Sequence, residues 1–219
     1  MELLGHLAMG FGVALTPANL KSALLFVHLV GLALGLGTAT LLDLMLARIM
    51  AKGKVALGQV EFIDFASAIV TAGLVLLWLS GLGLLAYYSA FDLAAMRNPK
   101  VWAKISVVVV LTLNGIVIHA MVLPLLRRQV GRGIFEGVSN IRKSLTLATG
   151  AISIVSWYVP MLLGVAKSLN FAVPFHVILL SYGGLLALAI KCSQLLGRVF
   201  PAKLTPVIHC NVISTAVAR

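Results

Sequence analysis

Five stretches of this chain run for more than 20 residues with at most one Asp, Glu, Lys or Arg apiece: approximately Ser22 to Ala47, Phe62 to Tyr88, Val101 to Leu126, Ser144 to Ala166 and Pro174 to Leu196. About 20 apolar residues in a helix cross the hydrocarbon core of a bilayer. There each backbone N–H and C=O must find its partner inside the segment, which restricts such runs to helices. The expected fold is an all-α integral membrane protein, a bundle of five transmembrane helices. Composition agrees: 61% of residues are hydrophobic and 11% charged, with a mean hydropathy of +1.08, against roughly 45–50% apolar usage in soluble domains. This excludes a soluble enzyme, a nucleic-acid reader and a disordered adaptor, so the +11 formal charge reads as loop and lipid-headgroup charge.

The opening stretch, Met1 to Leu15, is apolar but short, interrupted by Gly5, Gly10 and Gly12 and closed by Thr16-Pro17. Residues 1–21 read as an N-terminal interfacial or re-entrant segment, a sixth crossing being the alternative. Residues 22–198 read as one transmembrane bundle and 199–219 as a cytoplasmic tail. No basic region precedes the first apolar stretch, so no signal peptide is expected. Cys192 and Cys210 show no CxxC spacing, and neither a structural disulfide nor a zinc site is expected.

Loops after the first, third and fifth spans hold eleven of the basic residues: Arg48, Lys52, Lys54, Arg127, Arg128, Arg132, Arg142, Lys143, Arg198, Lys203 and Arg219. The opposite side holds four, Lys21, Arg97, Lys100 and Lys167. Positive charge stays on the cytoplasmic side, which predicts the N-terminus outside and the C-terminus inside; the expected location, a separate expectation, is a bacterial inner membrane.

Ionisable side chains within spans are costly and by default mark a site facing the bundle interior. At about 1.5 Å per residue, His28, Lys104 and His176 fall in the outer third of three spans. Asp43 and His119 fall in the inner half, and Asn114 near mid-membrane. His28 precedes Asp43 by 15 residues and Lys104 precedes His119 by 15, a spacing that returns within about 60° of the starting helix face. His28 and His176 are candidate axial ligands of a haem iron, as neutral imidazoles on separate helices. Lys104 then neutralises a propionate or, in the ordinary reading, snorkels to the interface. Gly31, Gly35 and Thr38 follow His28 on one face, either as close helix packing or as room for a flat cofactor. Trp157 and Tyr158 are too deep for an interfacial belt and are candidate pocket residues, with Pro160 expected to kink their helix.

FVHLVGLALGLGTATLLDLMLAR, Phe26 to Arg48, and NPKVWAKISVVVVLTLNGIVIHAMVLPLL, Asn98 to Leu126, resemble small bacterial membrane proteins of the HemJ and CopD groups, with His28 and Lys104 at the places of a recurring histidine and lysine. The resemblance covers the first three spans and implies a compact helical bundle. In the HemJ group it implies b-type haem and protoporphyrinogen oxidation, in the CopD group copper import. MGFGVALTPANL, Met9 to Leu20, is similar to the opening of TctA-type subunits of tricarboxylate transporters, although the proline-glycine motif that follows in that family is replaced here by Leu34-Gly35-Leu36-Gly37-Thr38.

Three function classes follow. The first is a membrane redox protein holding b-type haem near the outer face, moving electrons from a quinol or tetrapyrrole, with Asp43, His119 and Asn114 on a proton path or at a second site. The second is a metal- or proton-coupled transporter or permease component, with copper as the alternative metal. The third is a non-catalytic scaffold that assembles with partner subunits or a second copy. Membrane lipids are expected partners in all three, and nucleic acid in none.

Overall fold

The computed structural model describes residues 16–199; the interfacial or re-entrant segment expected before Thr16 and the tail beyond Val199 lie outside the described residues. Apart from an isolated β-bridge between Val55 and Val130, the regular structure is helical. Helix α1 spans Pro17–Lys52, α2 Leu57–Phe91, the single turn α3 Leu93–Met96, and α4 Pro99–Val117. A π-helical segment, Ile118–Val122, joins α4 to α5, Leu123–Arg128. α6 (Asn140–Val165), a 3-10 turn (Lys167–Leu169) and α7 (Phe175–Val199) complete the bundle. Five helical stretches are long and apolar enough to cross a membrane: Pro17–Ala51, Leu57–Phe91, Pro99–Arg128, Asn140–Val165 and Phe175–Arg198.

The count matches the sequence reading, while the start of α1 does not. Thr16-Pro17, read as the close of the opening stretch, instead begins the helix. The Thr16 hydroxyl accepts a hydrogen bond from Asn19 N–H, and Pro17 occupies the first turn, where its missing N–H costs nothing. α1 ends at Gly53, whose φ of 90° suits a residue without a Cβ and whose N–H returns to Ile49 O.

α1 and α2 form the closest pair. Gly31 and Gly35 meet Gly73, where an added Cβ would come within 2.6 Å of Gly35 N and 2.9 Å of Gly31 O. The small-residue stripe is therefore filled by backbone contact, and a Cβ at Gly35 would run into the Trp157 indole from α6. α6 is the hub, packing on α1, α4 and α7, and α7 also packs on α4. α6 runs on through Pro160 to Val165.

The end of the bundle that carries Arg127 is sealed. Ile134 and Phe135 from the loop between α5 and α6 fold under it and pack with Ile49, Val60, Ile63 and Leu126. Arg127 makes a two-pronged hydrogen-bonded ion pair with Asp64, at 3.0 and 3.2 Å. At the opposite end Ala103, Leu163 and Ile178 hold α4, α6 and α7 together. Long apolar side chains elsewhere, including Phe26, Leu44, Phe65 and Leu180, point outward, as lipid-facing positions do.

Candidate functional site

α2 and α4 run side by side without close packing along their length. Their link is polar. Trp78 Nε1–H donates to Thr112 Oγ1 at 3.0 Å, and Thr71 Oγ1 lies 3.3 Å from His119 Nε2. Behind this seam is a cavity of about 780 Å³ walled by α1, α2, α4 with the π segment, and α6. Its lining is predominantly apolar, from residues such as Leu42, Val70, Leu74, Leu111 and Trp157. The ionisable side chains in that lining are Asp43 and His119. An apolar chamber with a few placed polar groups has the character and size of a small-molecule site.

The local sequence explains how His119 reaches this position. Pro124 has no N–H, so the α-helical ladder cannot continue unbroken through it, and Leu123 N–H reaches back five residues to Ile118 O. The resulting π segment carries His119, and such bulges recur at functional sites because they shift side chains out of α-helical register. Asp43 projects from α1 with no hydrogen-bond or ion-pair partner among the described residues. Asn114 is 6% exposed and donates through Nδ2 to Thr149 O at 3.0 Å, which fixes α4 to α6 across the chamber. Trp157 is buried in the same wall. Tyr158 points elsewhere: it is exposed, and its hydroxyl lies 3.1 Å from Thr40 Oγ1.

His28 lies apart from the chamber, at the interface of α1 and α2. Its Nδ1 is 2.9 Å from Ser80 Oγ, and Ser80 gives its own proton to Leu76 O at 2.6 Å. The hydroxyl has one proton, so His28 Nδ1–H is the donor and the lone pair falls on Nε2. That is the orientation a metal-binding imidazole requires. Lys104 carries its ammonium near Gly164 at the end of α6. His176, at the start of α7, is exposed, and α7 has its packing partners in α6 and α4.

Of the expected residues, Asp43, His119, Asn114 and Trp157 share the chamber. His28, Lys104, His176 and Tyr158 do not line it. No hydrogen bond or packed cluster joins His28 to His176. Among the described residues no three His, Cys, Asp or Glu side chains gather into a metal-ligating group. Sequence reasoning missed Trp78, although its mid-span depth is the same signal that picked out Trp157. It also missed Thr71, Thr112 and Ser80, which look like ordinary small helix residues until their partners are in place. No family model, curated protein or solved structure matches the chain.

Proposed function

We propose that this membrane protein takes a lipid-soluble ligand with a hydrogen-bonding head, of the quinol or tetrapyrrole class, from the bilayer into the chamber. There Asp43 and His119 hold the head and exchange protons with it. The observation that carries the reading is the confinement of two proton-active groups to one apolar cavity, beside a seam that hydrogen bonds rather than packing close. A flat apolar ring fits the lining, and a hydroxyl or carbonyl finds a carboxyl and an imidazole, the two groups best suited to proton transfer near neutral pH. A hydroxyl on the head can pass its proton to the Asp43 carboxylate or the neutral His119 ring, and either group, once protonated, can return a proton to a carbonyl. The orientation in this reading is N-terminus outside and C-terminus inside, on the charge asymmetry of the loops.

The haem reading is supported by the Ser80-oriented imidazole of His28, whose Nε2 lone pair is available to iron, with Lys104 as a charge for a propionate. A b-type haem, when bound, supplies one-electron redox chemistry. The second axial position assigned to His176 has no comparable preparation, and no step is built on the pair.

The test uses the chamber's own tryptophans. In lipid nanodiscs, with Trp102→Phe removing the remaining indole, a soluble quinone analogue should quench Trp78 and Trp157 saturably. Asp43→Asn and His119→Gln should each weaken binding about tenfold, the equivalent of one lost hydrogen bond to a polar head. Quenching that never saturates, or that both variants leave unchanged, overturns the proposal.

A further inference from the structure

A second, smaller cleft of about 220 Å³ opens on the outside of the bundle between α5 with its π segment and the first turns of α6. Met121, Pro124 and Leu125 give it an apolar floor, and Arg128 and Arg142 stand at its rim. The neighbours of these two arginines are engaged elsewhere: Arg127 on Asp64, and Lys143 through Nζ to Gly197 O at 2.6 Å and over the Phe135 ring at 5.5 Å. Arg128 and Arg142 have no carboxylate within reach, the ion pairs among the described residues being Arg127–Asp64 and Lys21–Asp92. Arg142 moreover stands in the first turn of α6, which holds no acidic residue. A cation there opposes the helix dipole unless an anion joins it.

Position decides which anion. α5 ends at Arg128 and α6 starts at Asn140, so the two guanidiniums lie where spans leave the hydrocarbon and headgroup phosphates begin, and the apolar floor leads from them back along the span. We infer that this cleft binds an anionic phospholipid, its phosphate between Arg128 and Arg142 and an acyl chain along Met121, Pro124 and Leu125. Guanidinium is the side chain best matched to a phosphate diester, and basic pockets between helices at the membrane surface are the usual form of such sites. Ala120 and Thr146 line both this cleft and the chamber, so the lipid lies directly behind the π segment that presents His119. The inference rests on the membrane reading and is independent of what the chamber holds.

The experiment is native mass spectrometry of the full chain released from micelles doped with phosphatidylglycerol or, separately, phosphatidylcholine, with inorganic phosphate as a third arm. Wild-type protein should retain one phosphatidylglycerol, at least fivefold more than Arg128→Gln/Arg142→Gln. Arg48→Gln, an exposed charge at the same end but outside the cleft, should retain it as wild type does. Met121→Trp fills the floor without altering charge and should also lose the lipid, which keeps the test decisive if the double variant does not fold. Equal retention by wild type and Met121→Trp, or equal retention of phosphatidylcholine, overturns the inference. So does inorganic phosphate displacing the lipid completely at millimolar concentration, which would mark a site for free phosphate.

Discussion

Trp78 donates its indole N–H to Thr112 Oγ1 at 3.0 Å, while Thr112 gives its own proton to Val108 O at 2.8 Å. Both partners are thereby satisfied, and the bond ties α2 to α4 where the helices do not otherwise pack closely. Trp78→Phe keeps most of the apolar bulk and removes the link. It should lower stability by about 0.5–1 kcal/mol, the usual worth of an interhelical hydrogen bond in a membrane protein, and hasten quinone quenching of Trp157. Unfolding curves and stopped-flow fluorescence of the purified variant check the two effects; unchanged rates would show that ligand does not pass this seam.

Glycines of α1 and α2 should differ sharply in tolerance. Gly73→Ala puts a methyl against the backbone of Gly31 and Gly35, atoms that cannot rotate away, so the helices must separate at a cost of about 1–3 kcal/mol or more. Gly37→Ala meets nothing within 4 Å and should be neutral or stabilising by about 0.4–1 kcal/mol. Thermal unfolding of the two variants in one detergent decides it, and equal midpoints would contradict the close α1–α2 contact.

Asp43 combines a functional position with a structural cost. An unpaired carboxyl facing an apolar cavity is expensive to keep, so Asp43→Leu should leave stability unchanged or raise it by about 1–2 kcal/mol while abolishing saturable quinone binding. A variant that instead unfolds would assign Asp43 to the fold.

His28 provides the spectroscopic prediction. If the protein holds b-type haem, wild-type protein expressed with ample haem should show a Soret band that His28→Ala abolishes or reshapes. Ser80→Ala should shift it more mildly, since it removes the acceptor that orients the ring and leaves the ligand in place. Colourless wild-type protein would set the haem reading aside without touching the chamber.

Orientation is checked by fusion: a phosphatase joined after Arg219 should be inactive, and a cytoplasmic fluorescent reporter there should glow. Activity of the phosphatase would invert the bundle.

The sequence by itself determined that the chain forms five apolar helices, because hydrocarbon leaves a run of 20 or more uncharged residues no other way to satisfy its backbone. It also singled out Asp43, His119 and Asn114, since polar groups at such depth are too costly to be incidental. Tertiary structure decided which of them meet. The 15-residue spacing pointed to polar pairs sharing a face on α1 and on the third span, but the members of each pair meet different neighbours: His28 meets Ser80 while Asp43 lines the chamber, and Lys104 lies near Gly164 while His119 meets Thr71. Of the two readings of the glycine stripe, close packing holds, with Gly31 and Gly35 turned to Gly73, and the opening appeared one neighbour over, where α2 and α4 stay apart. The π segment beside Pro124 then aimed His119 into that opening. Helix formation is local and legible from a run of residues; the distance between two helices depends on side chains far apart in the chain, which acquire their meaning only when they touch.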